Sequence, residues 1–171
     1  MARLRIASIP LLMVCAWGRA DYCAADVAES SEIWGAISNG LQMSLRLEKG
    51  EYLVSQDFTG TARIRNTTHE IIHLAEYYPD ADFEVIATTT DGKSVPLTEY
   101  GKRLLEPPEI LGVRTAEIPA GGQIERTVSV GKRFRFEAGQ TYFIRMKRKF
   151  QLPQERGFGE VVSNVVTIRI H

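Results

Sequence analysis

From Leu41 to Leu47 the chain reads LQMSLRL, apolar and polar in strict turn, the pattern of a strand with one dry face and one wet face. Phe58 to Asn66 repeats it, with Phe58, Gly60, Ala62 and Ile64 set inward and Thr61, Arg63 and Arg65 toward water. Glu70 to Tyr77 is the next strand candidate, and Phe83, Val85 and Ala87 line another. Asp91-Gly92 is a hairpin dipeptide that returns Val95 to Leu97 beside it. Ile124, Val128 and Val130 pattern a further strand in which Arg126 is out of place. After the turn at Ala138-Gly139, Tyr142, Ile144 and Met146 point one way while Phe143, Arg145 and Lys147 point the other. Val162, Val166, Ile168 and Ile170 form a last buried face, interrupted by Ser163-Asn164. Pro107-Pro108 makes Thr98 to Ala116 a long connection, and Gln151 to Glu160 reads as a loop.

Seven or eight short strands with turn residues between them, and no amphipathic helix, predict an all-β antiparallel sandwich with Greek-key connections. Trp34 is expected to cap one end of its core. Trp34-Gly35 leading to Asn39-Gly40-Leu41, Asp91-Gly92-Lys93 with Pro96 to Gly101, Pro119-Ala-Gly121, Gly139 to Tyr142, Arg148 and Ser163-Asn164 together resemble a group of exported bacterial immunoglobulin-like proteins. The resemblance spans the chain beyond its leader and departs from the pattern at Lys132 to Phe136, where a basic turn replaces an acidic one. It implies an immunoglobulin-like fold and an exported address, and nothing about activity. A tyrosine after a glycine-bearing corner, as at Gly139 and Tyr142, suggests the tyrosine corner of such folds, its ring in the core and its hydroxyl bonded back to the turn.

The first 25 residues read as a secretory signal peptide: a basic head with Arg3 and Arg5, an apolar run from Ile6 to Trp17, then small residues up to Ala25. The run is too short to span a bilayer, and residues 26–32 read as a flexible tether before a single domain over 26–171. Removing the leader leaves 18 basic and 20 acidic residues, a balance with no field for nucleic acid. Both cysteines, Cys15 and Cys23, fall in the leader, so the expected setting is periplasmic or secreted and bacterial. Asn66-Thr-Thr68 is formally a glycosylation sequon.

His69-Glu-Ile-Ile-His73 matches the zinc-protease signature, with Glu70 as its base and a third ligand to be found in Glu76, Glu84 or Glu99. The chemistry needs a helix, which brings residues i and i+4 to about 5–6 Å at Cβ. On a strand the same residues stand about 13 Å apart. β-Branched Ile71 and Ile72 favour the strand, so no metal, no cofactor and no catalytic residue is expected. Asp80-Ala-Asp82 with Glu84 is a solvated turn rather than a calcium loop. The set Arg133, Arg135, Arg145, Lys147, Arg148, Lys149 and Arg156 predicts a basic face, carried chiefly by Arg145, Lys147 and Lys149. Leu152 and Phe158 in the following loop add a second candidate contact surface. The expectation is a non-catalytic exported binding or envelope-structural module whose partner is a protein, a glycan or an anionic envelope surface. An immunoglobulin-like peptidase inhibitor is the alternative, and a zinc peptidase the third reading.

Overall fold

The computed structural model describes residues 32–106, 113–152 and 157–171. The leader, most of the tether, Pro107-Pro108 and Arg156 lie outside the described residues. The fold is all-β, and the described residues form ten strands, two α-helical turns of four and five residues and a 3-10 turn at Gly131–Arg133. Strands β1 (Leu41–Leu47), β3 (Thr59–Asn66) and β7 (Gln123–Ser129) form one antiparallel sheet with β3 central. A second sheet runs β2 (Glu51–Tyr52), β10 (Val166–Ile170), β8 (Thr141–Gln151), β5 (Glu84–Thr89), and β9 (Phe158–Val162) also pairs β8. Strand β2 joins β10 in parallel; the other pairings are antiparallel. Strands β4 (Ile72–Glu76) and β6 (Arg114–Ile118) make a separate two-stranded ribbon.

The alternation read in β3 and β8 is the alternation observed, and β1 keeps it except at Ser44, which is buried on the outer phase and donates to Glu32. Met43, Leu45, Ala62, Ile64 and Val128 from the first sheet share one buried cluster with Val85, Ala87, Ile144, Met146 and Ile168 from the second. A side chain lies between them as a cross-link: Asn164 Oδ1 accepts from Leu45 N at 2.7 Å and Asn164 Nδ2 donates to Leu45 O at 3.1 Å. The amide thus occupies the edge of β1 as a further strand would.

Several expectations need correction. Val161, not Val162, faces the core, because the break at Ser163-Asn164 shifts the inward phase between β9 and β10. Segment 93–95 does return beside β5, through a bridge of Thr88 with Ser94 and the bonds from Thr89 N to Lys93 O and from Val95 N to Ala87 O, whereas Leu97 bridges Phe134 instead. The long connection contains α2 (Glu99–Arg103), capped by Thr98 Oγ1 accepting from Gly101 N, and then β6. The loop after β8 is shorter than read, since Gln151 still belongs to β8 and Phe158 opens β9. Trp34 is only half-buried and outside the core; the Arg65 guanidinium stacks over its ring at 4.2 Å. Tyr142 is buried, and its hydroxyl accepts from Glu137 N at 2.9 Å, closing the corner at Gly139, whose φ of 77° favours glycine.

Candidate functional site

Beyond β4 the chain crosses Tyr77 and Tyr78 and makes one helical turn, α1 (Pro79–Asp82), with proline in its first turn. Two carboxylates pin that turn. Asp82 accepts from Tyr77 N at 3.1 and 3.2 Å, and Asp80 accepts from Ser129 N at 2.7 Å and the Tyr100 hydroxyl at 2.6 Å. Beneath it Arg133, 4% exposed, donates to Ser129 O, Phe83 O, Asp80 O and Asp80 Oδ1 at 2.6–3.1 Å. Every bond of that guanidinium goes to a fixed acceptor, so α1 is held rigidly to the end of β7.

A second buried arginine lies beside it. Arg148 continues the inward phase of Tyr142, Ile144 and Met146 on β8 and is 2% exposed. Its Nη2 donates to Ala75 O at 2.8 Å, and its guanidinium lies 5.2 Å from the Phe83 ring. Glu76 stands 3.6 Å from Nη1, and Asp82 3.9 Å from Nη2. Nη1 itself is buried with no hydrogen-bond partner. Burial pushes the Arg148 guanidinium down from its ordinary range, against the pull of Asp82 and Glu76. Burial likewise raises the Asp82 carboxyl, outweighing its bond from Tyr77 N and the charge of Arg148. Glu76 is clamped from the other side by Arg126, whose Nε and Nη2 reach its two oxygens at 3.0 and 2.8 Å. The cation that breaks the apolar pattern of β7 is therefore the bidentate partner of Glu76.

These groups underlie a cleft of about 540 Å³. Glu76, Asp82 and Arg126 supply its less exposed lining, and Tyr77, Tyr78, Pro79, Val113 and Arg114 its more exposed lining. Tyr77 is 39%, Tyr78 47% and Val113 51% exposed. Arg114 stands directly across the β4–β6 ladder from Glu76, is exposed, and makes no ion pair among the described residues. The cleft carries two aromatic rings and a guanidinium over a floor whose charges are already matched. A volume of this size suits a side chain or a small ligand group.

The other predicted residues are dispersed. His69 and Glu70 are exposed in a non-helical turn, and His73 lies on β4 with Nδ1 3.7 Å from Glu117 Oε1. Among the described residues no three His, Cys, Asp or Glu side chains are grouped to hold a metal ion. Glu76, named as a third ligand, holds arginines instead. The basic face is smaller than predicted. Arg133 and Arg148 are interior, and Lys147 lies 3.4 Å from both Glu84 and Glu160. Arg145 and Lys149 remain exposed on β8, with Lys149 opposite Glu160 in register. Leu152 packs against the core, whereas Phe158 is 77% exposed beside Gln151. Counting the phase of β8 finds Arg148; nothing local in the sequence finds its partners.

No protein-family model matches the chain, and no curated protein matches it. Among solved structures it is similar to the X-ray structure of Northeast Structural Genomics Consortium target SoR45, at 13% identity and a TM-score of 0.47. That match covers 79% of this chain and 90% of the other. No helix among the described residues is long and apolar enough to cross a membrane.

Proposed function

We propose that the chain is a non-catalytic, exported immunoglobulin-like module that binds a partner through the cleft bounded by Tyr77, Tyr78 and Arg114. The observation that carries this reading is the division of labour in the cleft. Glu76, Asp82, Arg126 and Arg148 are engaged with one another or with backbone. They build a rigid floor and leave the tyrosines and Arg114 as the groups a partner meets. Tyrosine and arginine are the residues that dominate contact energies at protein surfaces, since they offer large area at small entropic cost. The immunoglobulin-like reading of the fold is supported by the corner at Gly139 and Tyr142 and by a core shared between two sheets. Export rests on the basic-then-apolar leader in the sequence.

A photo-reactive residue placed at position 78, in the chain expressed in a bacterial envelope, tests the reading. The expected result is one discrete adduct from position 78 and none from position 149. An adduct from position 149 alone, or from neither, overturns the cleft as the contact surface.

A further inference from the structure

The ribbon of β4 and β6 has two outer edges, and they differ. The β4 edge is closed by the core: Arg148 Nη2 donates to Ala75 O, and β8 packs alongside. The β6 edge is unpaired among the described residues. Arg114, Thr115 and Glu117 are exposed, and the backbone of 114–117 makes no hydrogen bond to any described residue outside its ladder with β4. Strand β6 enters from the cleft, with Val113 and Arg114 in the lining, and ends where Asn66 Nδ2 ties down Ile118 O and Pro119 O. One end of this edge is anchored and the other opens on a binding cleft.

The chemistry at the cleft end selects for charge. Arg114 has no carboxylate partner among the described residues, because Glu76 opposite is held bidentately by Arg126. Close by, Arg148 Nη1 is a buried N–H without an acceptor, 3.6 Å from Glu76. Glu76 and Asp82 are both engaged, and the donors left over are those of Arg114 and Nη1 of Arg148. A further carboxylate arriving in the cleft meets Arg114 directly and adds negative charge near Arg148. Tyr77 and Tyr78 give the adjoining side chains of the same segment an apolar surface.

Resting on the cleft as the contact surface, we infer that the ligand is an extended acidic peptide segment of a partner protein. It adds as a third strand along β6 and places an Asp or Glu side chain on Arg114. Backbone bonds along Arg114–Glu117 supply register, and the carboxylate supplies selectivity, the division of roles in strand addition.

The test is a titration of the full ¹⁵N-labelled chain, followed by amide shifts and amide exchange. Three probes are used: the peptide acetyl-Thr-Val-Glu-Val-Thr-amide, its Glu-to-Gln counterpart, and glucuronic acid. The Glu peptide is expected to shift and protect the amides of Arg114 to Glu117 at millimolar concentration. The Gln peptide should bind about tenfold more weakly, the worth of one charge-assisted bond. Arg114→Gln should remove the difference between the two peptides, while the shifts of Tyr142 and Asn164 in that variant report an intact fold. Equal affinity of the two peptides, or no response of β6 to either, overturns the inference. Glucuronic acid moving Tyr77 and Tyr78 while β6 stays silent also overturns it, in favour of a glycan. In each of these cases an adduct from position 78 leaves the cleft standing, and loss of that adduct removes both.

Discussion

Asn66 is the side chain on which three segments converge. Its Nδ2 donates to Glu70 O, Ile118 O and Pro119 O at 2.6–3.1 Å, and its Oδ1 accepts from Thr68 N and Thr68 Oγ1. At 2% exposure it is a structural knot at the end of β3, closed to modification in the folded chain. Replacing it with alanine strands the buried Ile118 carbonyl, at about 1–3 kcal/mol, and loses the part-buried bonds to Glu70 O and Pro119 O as well. Asn66→Ala should therefore lower stability by roughly 3 kcal/mol or more, read as a lower urea midpoint at an unchanged slope. Tyr142→Phe should cost about 1 kcal/mol, since one hydroxyl bond to Glu137 N is lost and the ring remains. The tyrosine was legible because glycine, corner and alternation are all local. Asn66 and Arg148 were half legible: each sits in the inward phase of its strand, which announces burial. Their distant partners, Ile118 for Asn66 and Ala75 for Arg148, lie 52 and 73 residues away, and no periodicity carries that information.

At the scale of elements, the junction of β9 and β10 shows how a polar pair redirects a strand. Ser163 N donates to Met146 O, Ser163 Oγ accepts from Met146 N, and Asn164 turns across to Leu45. One continuous run thereby becomes two strands of opposite phase, and Val161 takes the place that alternation gave to Val162. Asn164→Ala leaves the N–H and C=O of buried Leu45 without partners, and should cost roughly 2–4 kcal/mol by urea titration. The entering segment is as closely fitted: a Cβ on Gly35 would stand 1.9 Å from Val162 O. Gly35→Ala should consequently detach that segment, seen as accelerated exchange of Gly35 N, which donates to Met43 O. The segment His69 to His73 belongs to this scale too. A helix there would have made two imidazoles neighbours; a turn running into β4 separates them.

Across the whole molecule, the two carboxylates of α1 respond oppositely to acid. Burial alone would raise Asp80, but bonds from Tyr100 and Ser129 and the charge of Arg133 prevail and hold it below the usual carboxylate range. A depressed carboxyl contributes stability fully above its unfolded value, about 3.9, and loses it as pH falls through the folded value. Asp82 is raised, so its ionised form opposes folding, increasingly as pH rises through its folded value, and acid relieves that cost. Asp80→Asn should lower stability at neutral pH by roughly 1–2 kcal/mol and flatten the loss below about pH 4, measured by urea titrations across that range. The same matching of charges reshapes the surface. The cations that made β8 look like a basic face are divided among the interior, the carboxylates of β5 and β9, and open solvent. The cleft beside β4 is where aromatic rings and a guanidinium with no ion pair among the described residues remain together. Retention of the chain on a bacterial envelope fraction separates these two surfaces directly, with Tyr78→Ala/Arg114→Glu compared against Arg145→Glu/Lys149→Glu. The cleft pair should release the protein and the β8 pair should leave it bound; release by the β8 pair alone would contradict the account.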